Sequence, residues 1–168
     1  GIHVLTEKPI TSTLEEGKRL VEAVEETGIK LLVGHHRRYY PPIRRAREIV
    51  QGGALGQLVG ISMIWALMKP DVYFEVAWRS QKGGGPILIN IIHEMDNLRF
   101  ICGDVAEISA SARRLVRSGE VEDTVNIRFE LVDGALGTAL VTDTTPSPWS
   151  DELTSGENSD YFETDQDC

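Results

Sequence analysis

The sequence is short of the features that mark several large protein classes. It has two cysteines in 168 residues, Cys102 and Cys168, with no metal-ligand spacing between them, and the second ends a polar tail. No disulfide framework or zinc motif follows from that, and a reduced, cytoplasmic setting is the expectation. No stretch approaches the roughly 18 to 20 uninterrupted apolar residues of a membrane-spanning helix, and the N-terminus lacks a charged region followed by an apolar one. A basic excess is also missing. Net charge is -9, but Asp151 to Cys168 carries seven acids and no Lys or Arg, which leaves only -2 on the first 150 residues. That body has no overall field to steer nucleic acid or a membrane surface, so neither is expected as a partner. What is present, 41% hydrophobic residues, supports one good core, or one domain plus a piece of another.

The chain opens "GIHVLTEKPI", whose apolar run Ile2 to Leu5 reads as a short buried strand. Its partners in a sheet are expected upstream of Gly1. Thr11 or Ser12 is placed to cap a helix whose early Glu15 and Glu16 suit the positive end of its dipole. Leu14, Leu20, Val21 and Val24 recur at helical spacing, and Gly28 stands where a C-terminal cap belongs. "IKLLVGHH" is a second apolar strand, so the opening is one strand-helix-strand unit of a parallel sheet, which needs cover on both faces. A helix is expected from about Ile43 to Gln51, stopped by Gly52 and Gly53. Next come a strand in "QLVGISMIWALM", an irregular stretch to Lys82, and a helix in "GGGPILINIIHEMDNLRF" (Gly83 to Phe100). After Gly103 the pattern turns to strands, with Val132 or Asp133 and Gly134 marking a hairpin. The fold expected is an α/β remnant of a Rossmann domain (1–36) plus an α+β domain (37–145) with a largely antiparallel open sheet packed on helices. Residues 146–168 read as an acidic, irregular tail without periodicity.

Three segments carry candidate chemistry, each with a plainer reading beside it. Glu7-Lys8-Pro9 follows a parallel strand, and ligands bind outside the carboxyl ends of such strands. Lys8 there would bond a substrate oxygen and favour a developing alkoxide, or else it is a solvated strand-end lysine. On a regular helix His93 shares a face with Ile89, Asn90, Asp96 and Asn97, while Leu88, Ile91, Ile92, Met95 and Leu98 lie largely opposite. A histidine beside an amide and a carboxylate exchanges a proton near neutral pH, or is half-buried and bonded to Asp96 or Asn97. Gly83 to Gly85 admit a ligand close to the backbone, or simply lead into the helix; they form no phosphate loop. "HHRRYYPPIRRAREIV" interleaves five arginines with Tyr39 and Tyr40, and reads as a solvated face paired with nearby acids. His35, His36 and His93 lack supporting carboxylate or cysteine spacing, so no metal is expected.

Together these segments resemble the Gfo/Idh/MocA family of NAD(P)-dependent sugar dehydrogenases (glucose-fructose oxidoreductase, inositol dehydrogenase, rhizopine catabolism). "GIHVLTEKPI" is similar to the family's strand and EKP motif, and "WRSQKGGGPILINIIHEMD" to its Trp-Arg, triple-glycine and HxxD block. "VEDTVNIRFELVDGALGTALVTD" is similar to its paired sheet strands. EKP followed at that distance by GGG and HxxD is specific.

The resemblance implies a two-domain oxidoreductase transferring a hydride between NAD or NADP and a sugar, inositol or related polyol. It implies Lys8 as the substrate-orienting, charge-stabilising lysine and His93 as the acid/base. Glu7, Lys8, Pro9 and Arg79 would lie on the cofactor side, and Lys8, Asn90 and His93 against the substrate. A homo-oligomer, dimer or tetramer, through the open sheet is also implied. Two departures stand out. Many members place an aspartate four residues before the histidine, where this chain has Ile89; Asn90, one residue on, is rotated by about 100° on a regular helix. The family's glycine-rich turn and ribose-binding acid are expected before Gly1, so this stretch alone is not expected to bind NAD(P) productively. The alternative expectation is a catalytically inactive, sheet-mediated oligomer or scaffold.

Overall fold

The computed structural model describes residues 1–147, so the expected tail lies, from residue 148 onward, outside the described residues. Its first unit is β1 (Val4–Thr6), α1 (Leu14–Thr27) and β2 (Leu31–Val33), with β1 and β2 paired in parallel, Val4 opposite Leu31 and Thr6 opposite Val33. The cap of α1 is Thr13, not Thr11 or Ser12. Thr13 completes a reciprocal capping box: Glu16 N–H donates to Thr13 Oγ1 at 3.3 Å, and Thr13 N–H donates to Glu16 Oε2 at 3.1 Å. Gly28 closes the helix in the left-handed conformation (φ 65°), as its position implied. No α1 residue is buried, and Leu5 and Leu32 are exposed. The unit therefore presents apolar surface of the kind a larger parallel sheet covers.

Helix α2 (Pro41–Gln51) starts two residues before Ile43 because Pro41 and Pro42 occupy its first turn, where a missing N–H breaks no helical bond. Four strands follow: β3 (Gly60–Ala66), β4 (Val105–Arg113), β5 (Thr124–Leu131) and β6 (Leu136–Thr142). Their order is β3-β6-β5-β4, with β3–β6 parallel and the other pairs antiparallel. Gly134, at φ 90°, makes the β5–β6 turn. This is the expected architecture, a small parallel sheet beside a mixed, largely antiparallel one.

Alternation in β5 and β6 sends Val125, Ile127, Phe129, Leu131, Ala139 and Val141 inward. There they pack with Trp65, Leu67, Ile91 and Leu98. Ile64, Leu136 and Leu140 point to the other face and are exposed.

The stretch expected as one regular helix from Gly83 to Phe100 divides into two geometries. Ile87–Ile91 is a π-helical turn, and only Ile92–Cys102 is α-helical (α3). An extra residue in the turn breaks the 3.6-residue periodicity on which the expected faces rest. His93, Asp96 and Asn97 are buried together with Ile91 and Leu98, so the polar flank faces inward.

One buried carboxylate organises the loop before β5. Asp123, 1% exposed, accepts from the backbone N–H groups of Leu115, Val116 and Arg117 at 2.8 to 3.0 Å and from Thr124 Oγ1 at 2.9 Å. Burial pushes its pKa up, but these donors outweigh burial and hold it below the usual carboxylate value. Removing the carboxylate leaves three backbone donors without an acceptor. Asp123→Ala should lower unfolding stability by about 2–4 kcal/mol, read from urea unfolding; a change below about 0.5 kcal/mol, the range of surface substitutions, would refute the role.

Candidate active site

The carboxyl end of β1 meets the π-helical turn. Lys8, two residues past the strand, reaches 81 positions along the sequence, and its Nζ donates to the carbonyl of Ile89 at 2.8 Å. The Lys8–Pro9 peptide is cis. Glu7 sets its carboxylate against Gly34, just past β2, where a Cβ would lie 3.1 Å from either oxygen. Glu7, Lys8 and Pro9 thus occupy the open end of the parallel pair.

His93 begins the first turn of α3 and is 7% exposed. Its Nδ1 is buried without a partner. Nε2 is not among the buried unpartnered atoms and has no protein partner among the described residues, so it is the nitrogen open to a ligand. The plainer reading, a histidine bonded to Asp96 or Asn97, does not hold. Arg38 takes Asp96 through both its Nε and Nη2, and Asn97 Oδ1 is itself without a partner. The His36 and His35 rings stand edge-on to His93, with centroids 5.2 and 6.3 Å away. Burial first, then the positive charges of Lys8 and Arg37 and the two neighbouring histidines, lower the His93 pKa from 6.5 to about 3. His35 is lowered as well, chiefly by burial, with Asp96 acting the other way. Among the described residues no cluster of His, Cys, Asp and Glu is arranged to hold a metal.

Of the arginines of the 37–47 segment, Arg44 and Arg45 are exposed, with Arg45 paired to Glu48 at 2.9 Å, whereas Arg37, Arg38 and Arg47 turn toward α3. Arg37 is buried and ion-paired with Glu94; Arg38 pairs with Asp96; Arg47 donates to the Phe100 carbonyl at 2.7 Å and stacks on its ring. These contacts fasten α3 by its polar side. The acids on α3 require cations, and the preceding turn supplies them.

Packing explains the second and third glycines of the triple, while Gly83 takes the left-handed region at φ 94°. A Cβ on Gly84 would lie 2.2 Å from the Trp78 carbonyl, so that backbone passes directly over Trp78 and Arg79. A Cβ on Gly85 would fall 2.3 Å from Glu122 Oε1, the carboxylate that accepts from Ile87 N–H at 3.0 Å and so caps the turn. Arg79, held beneath this crossing, stacks on Tyr73 with its Cζ 4.0 Å from the ring centroid and donates to the Tyr73 carbonyl at 2.9 Å. No direct contact joins it to Lys8 or His93 among the described residues.

A residue that sequence reasoning passed over completes the cluster. Lys69, three residues beyond β3 and 2% exposed, donates from Nζ to Asn90 Oδ1 at 2.6 Å. Nζ also lies 3.7 Å from Asp143 Oδ2 and over the Tyr73 ring at 4.7 Å. Asp143 is held in turn by Arg117 Nε at 2.9 Å. The available signal was a lysine closing a long apolar run, "WALMKP", a position where burial is costly unless a partner waits. Lys8 therefore meets the turn that carries Asn90 and leads into His93, Ile89 contributes its backbone carbonyl, and among the described residues Arg79 reaches this group through Tyr73 and Lys69.

Comparison with known proteins places this arrangement. Residues 1–35 match the model of an oxidoreductase family with an NAD-binding Rossmann fold, and residues 43–155 match the GFO/IDH/MocA C-terminal domain. The chain is 32% identical to 1,5-anhydro-D-fructose reductase of Ensifer adhaerens over 137 residues, 77% of this chain and 40% of that protein. It is 29% identical to myo-inositol 2-dehydrogenase of Thermotoga maritima over 143 residues, 80% of this chain and 41% of that one. Among solved structures it superposes with a TM-score of 0.79 and 29% identity on the WlbA dehydrogenase of Bordetella pertussis, in complex with NADH and UDP-GlcNAcA. That match covers 85% of this chain and 46% of the other. The chain thus spans about two fifths of the length of the curated relatives it matches. On the strength of both model matches, this chain belongs to the GFO/IDH/MocA oxidoreductase family.

Proposed function

We propose that this chain supplies the acid/base and substrate-orienting residues of an NAD(P)-dependent oxidoreductase acting on a sugar, inositol or related polyol. The observation that carries the reading is the bond from Lys8 Nζ to Ile89 O, which brings the end of a parallel strand onto the turn that leads into His93. Residues 1–36 are then the part of the Rossmann domain next to the substrate, and 37–145 the substrate and assembly domain. The residues proposed for the nicotinamide end of NAD(P) fit that place: Glu7, Lys8 and Pro9 line the open strand ends, with Arg79 beyond Tyr73. The sequence contains no GxGxxG turn for the pyrophosphate.

Bound oxidised NAD(P) would supply the hydride acceptor. His93 Nε2 takes the hydroxyl proton as the carbinol C–H bond breaks and the C=O bond forms. Lys8, by its charge, favours the alkoxide that develops on that oxygen. The direction reverses with the same groups: His93 returns the proton and Lys8 polarises the carbonyl.

No helix among the described residues is long and apolar enough to cross a membrane. Assembly of a homodimer or tetramer through the four-stranded sheet is part of this proposal, supported by exposed Ile64, Leu136 and Leu140 on its outer face. A non-catalytic, sheet-mediated scaffold is the second reading, favoured by Ile89, which offers no side-chain carboxylate to His93. Sedimentation of the full-length protein tests assembly, and a monomer at high concentration would argue against it.

The decisive assay uses the full-length protein with a panel of sugars and polyols and both nucleotides. His93→Ala should lower kcat by about 10²- to 10⁴-fold, the usual worth of a positioned acid/base. Unchanged turnover would remove His93 from the chemistry, and no turnover of any substrate would favour the scaffold.

The pH dependence carries a sign. His93 acts as a base only when neutral, so oxidation fails as pH falls through its pKa, here about 3 rather than 6.5. The acid limb of kcat/KM for oxidation should therefore lie below about pH 5. A limb near 6.5 that vanishes in a His93 variant would contradict the buried, carboxylate-free setting.

A further inference from the structure

Resting on the proposed oxidoreductase reading, the polar groups around His93 narrow the class of substrate. Lys69 is buried to 2% exposure and bonded to Asn90 Oδ1 at 2.6 Å. An ammonium has donors only, so it can meet only the oxygen of the amide, and Asn90 Nδ2 must turn its two N–H donors away from Lys69. Asn90 Nδ2 has no protein acceptor among the described residues and is not among the buried unpartnered atoms, so it is accessible. Acceptors near it are already engaged. The Ile89 carbonyl takes Lys8 Nζ, Glu94 is ion-paired with Arg37, and Asp96 with Arg38.

The site is therefore rich in donors and positive charge. Its side chains offer the Asn90 amide N–H groups and the Lys8 ammonium, and the His93 Nε2 lone pair is the acceptor that the reacting hydroxyl needs. A neutral polyol can accept from these donors, but only through uncharged hydroxyl oxygens. A carboxylate brings acceptors alone and a charge opposite to Lys8.

We propose that the substrate is a sugar acid, with its carboxylate beside the reacting carbinol, read by Asn90 Nδ2. Lys69 is the positioning residue that fixes Asn90 as a donor. It is seated in turn by Asp143 and by Arg117, whose Nη2 donates to the Lys69 carbonyl at 2.8 Å.

The test compares kcat/KM of the full-length protein for D-gluconate, D-galactonate and D-mannonate, in each of which a free hydroxyl stands next to the carboxylate, with that for D-glucose and myo-inositol. The acids should be favoured by about 10- to 100-fold, the range of a hydrogen bond to a charged group. Asn90→Asp keeps the shape and pairs with Lys69 but replaces the donors by negative charge. It should raise KM for the acids by a similar factor and move the neutral sugars far less. Lys69→Met frees the amide and should raise KM for the acids with a smaller change in kcat. Should that variant fail to fold, Asn90→Asp decides.

Turnover of neutral sugars that depends on His93, with no advantage for the acids, overturns this inference and leaves the oxidoreductase reading standing. So does an Asn90→Asp enzyme with an unmoved KM for the acids. If nothing is turned over, the oxidoreductase reading fails on its own. Calorimetric titration with D-gluconate then decides the site: saturable binding lost in Asn90→Asp supports it, and no binding refutes it.

Discussion

Charge removed from water has to be paired, and in this protein that requirement fixes where the helix carrying His93 can lie. Glu94 and Asp96 project from the first turns of α3 into a poorly solvated region, and a lone buried carboxylate there would be strongly destabilising. Arg37 and Arg38, adjacent in sequence on the turn after β2, answer them one to one. Two neighbouring arginines meeting two acids set two residues apart define both the position and the rotation of α3. Lys8 reaches the same helix from the end of β1. The parallel unit and the mixed sheet are thereby joined through polar contacts on one helical segment.

The same pairing explains the electrostatics of His93. The acids that might have raised its basicity are committed to arginines, and what faces the imidazole is cationic or neutral: Lys8, Arg37, His35 and His36. Burial then acts unopposed. A proton acceptor with so low a free-enzyme pKa is neutral throughout the physiological range, always ready to accept, but too weak to abstract a hydroxyl proton unaided. In the proposed oxidation the substrate hydroxyl would therefore have to be made more acidic by Lys8, with His93 giving the proton a place to go.

Local pattern was legible wherever structure is set by neighbours in sequence. Gly28 and Gly134 read correctly as a helix end and a hairpin turn. Lys8, Asn90 and His93 were legible as candidates because a strand end and a motif block surrounded them. The π-helical turn was not, since a face drawn at 3.6 residues per turn assumes the regularity that Ile87–Ile91 breaks. Lys69 and the Arg37–Glu94 pair stayed hidden for another reason. Their partners are 21 and 57 residues away, and a charged side chain looks the same in sequence whether it will be solvated or buried.

The π-helical turn also bears on what replaces the carboxylate expected at position 89. In a regular helix Ile89 would simply be a lost side chain one turn before His93. Here its backbone does the connecting, because Ile89 O receives the Lys8 ammonium while Asn90, next along, receives Lys69. Two lysines from the ends of β1 and β3 thus converge on consecutive residues of one turn, one bonded to main chain and one to side chain. Each is oriented by an acceptor it cannot share, which holds two cations close together without either reaching for the other's partner. A carboxylate at position 89 would draw Lys8 toward itself and away from the carbonyl. An isoleucine leaves the lysine where the backbone carbonyl holds it.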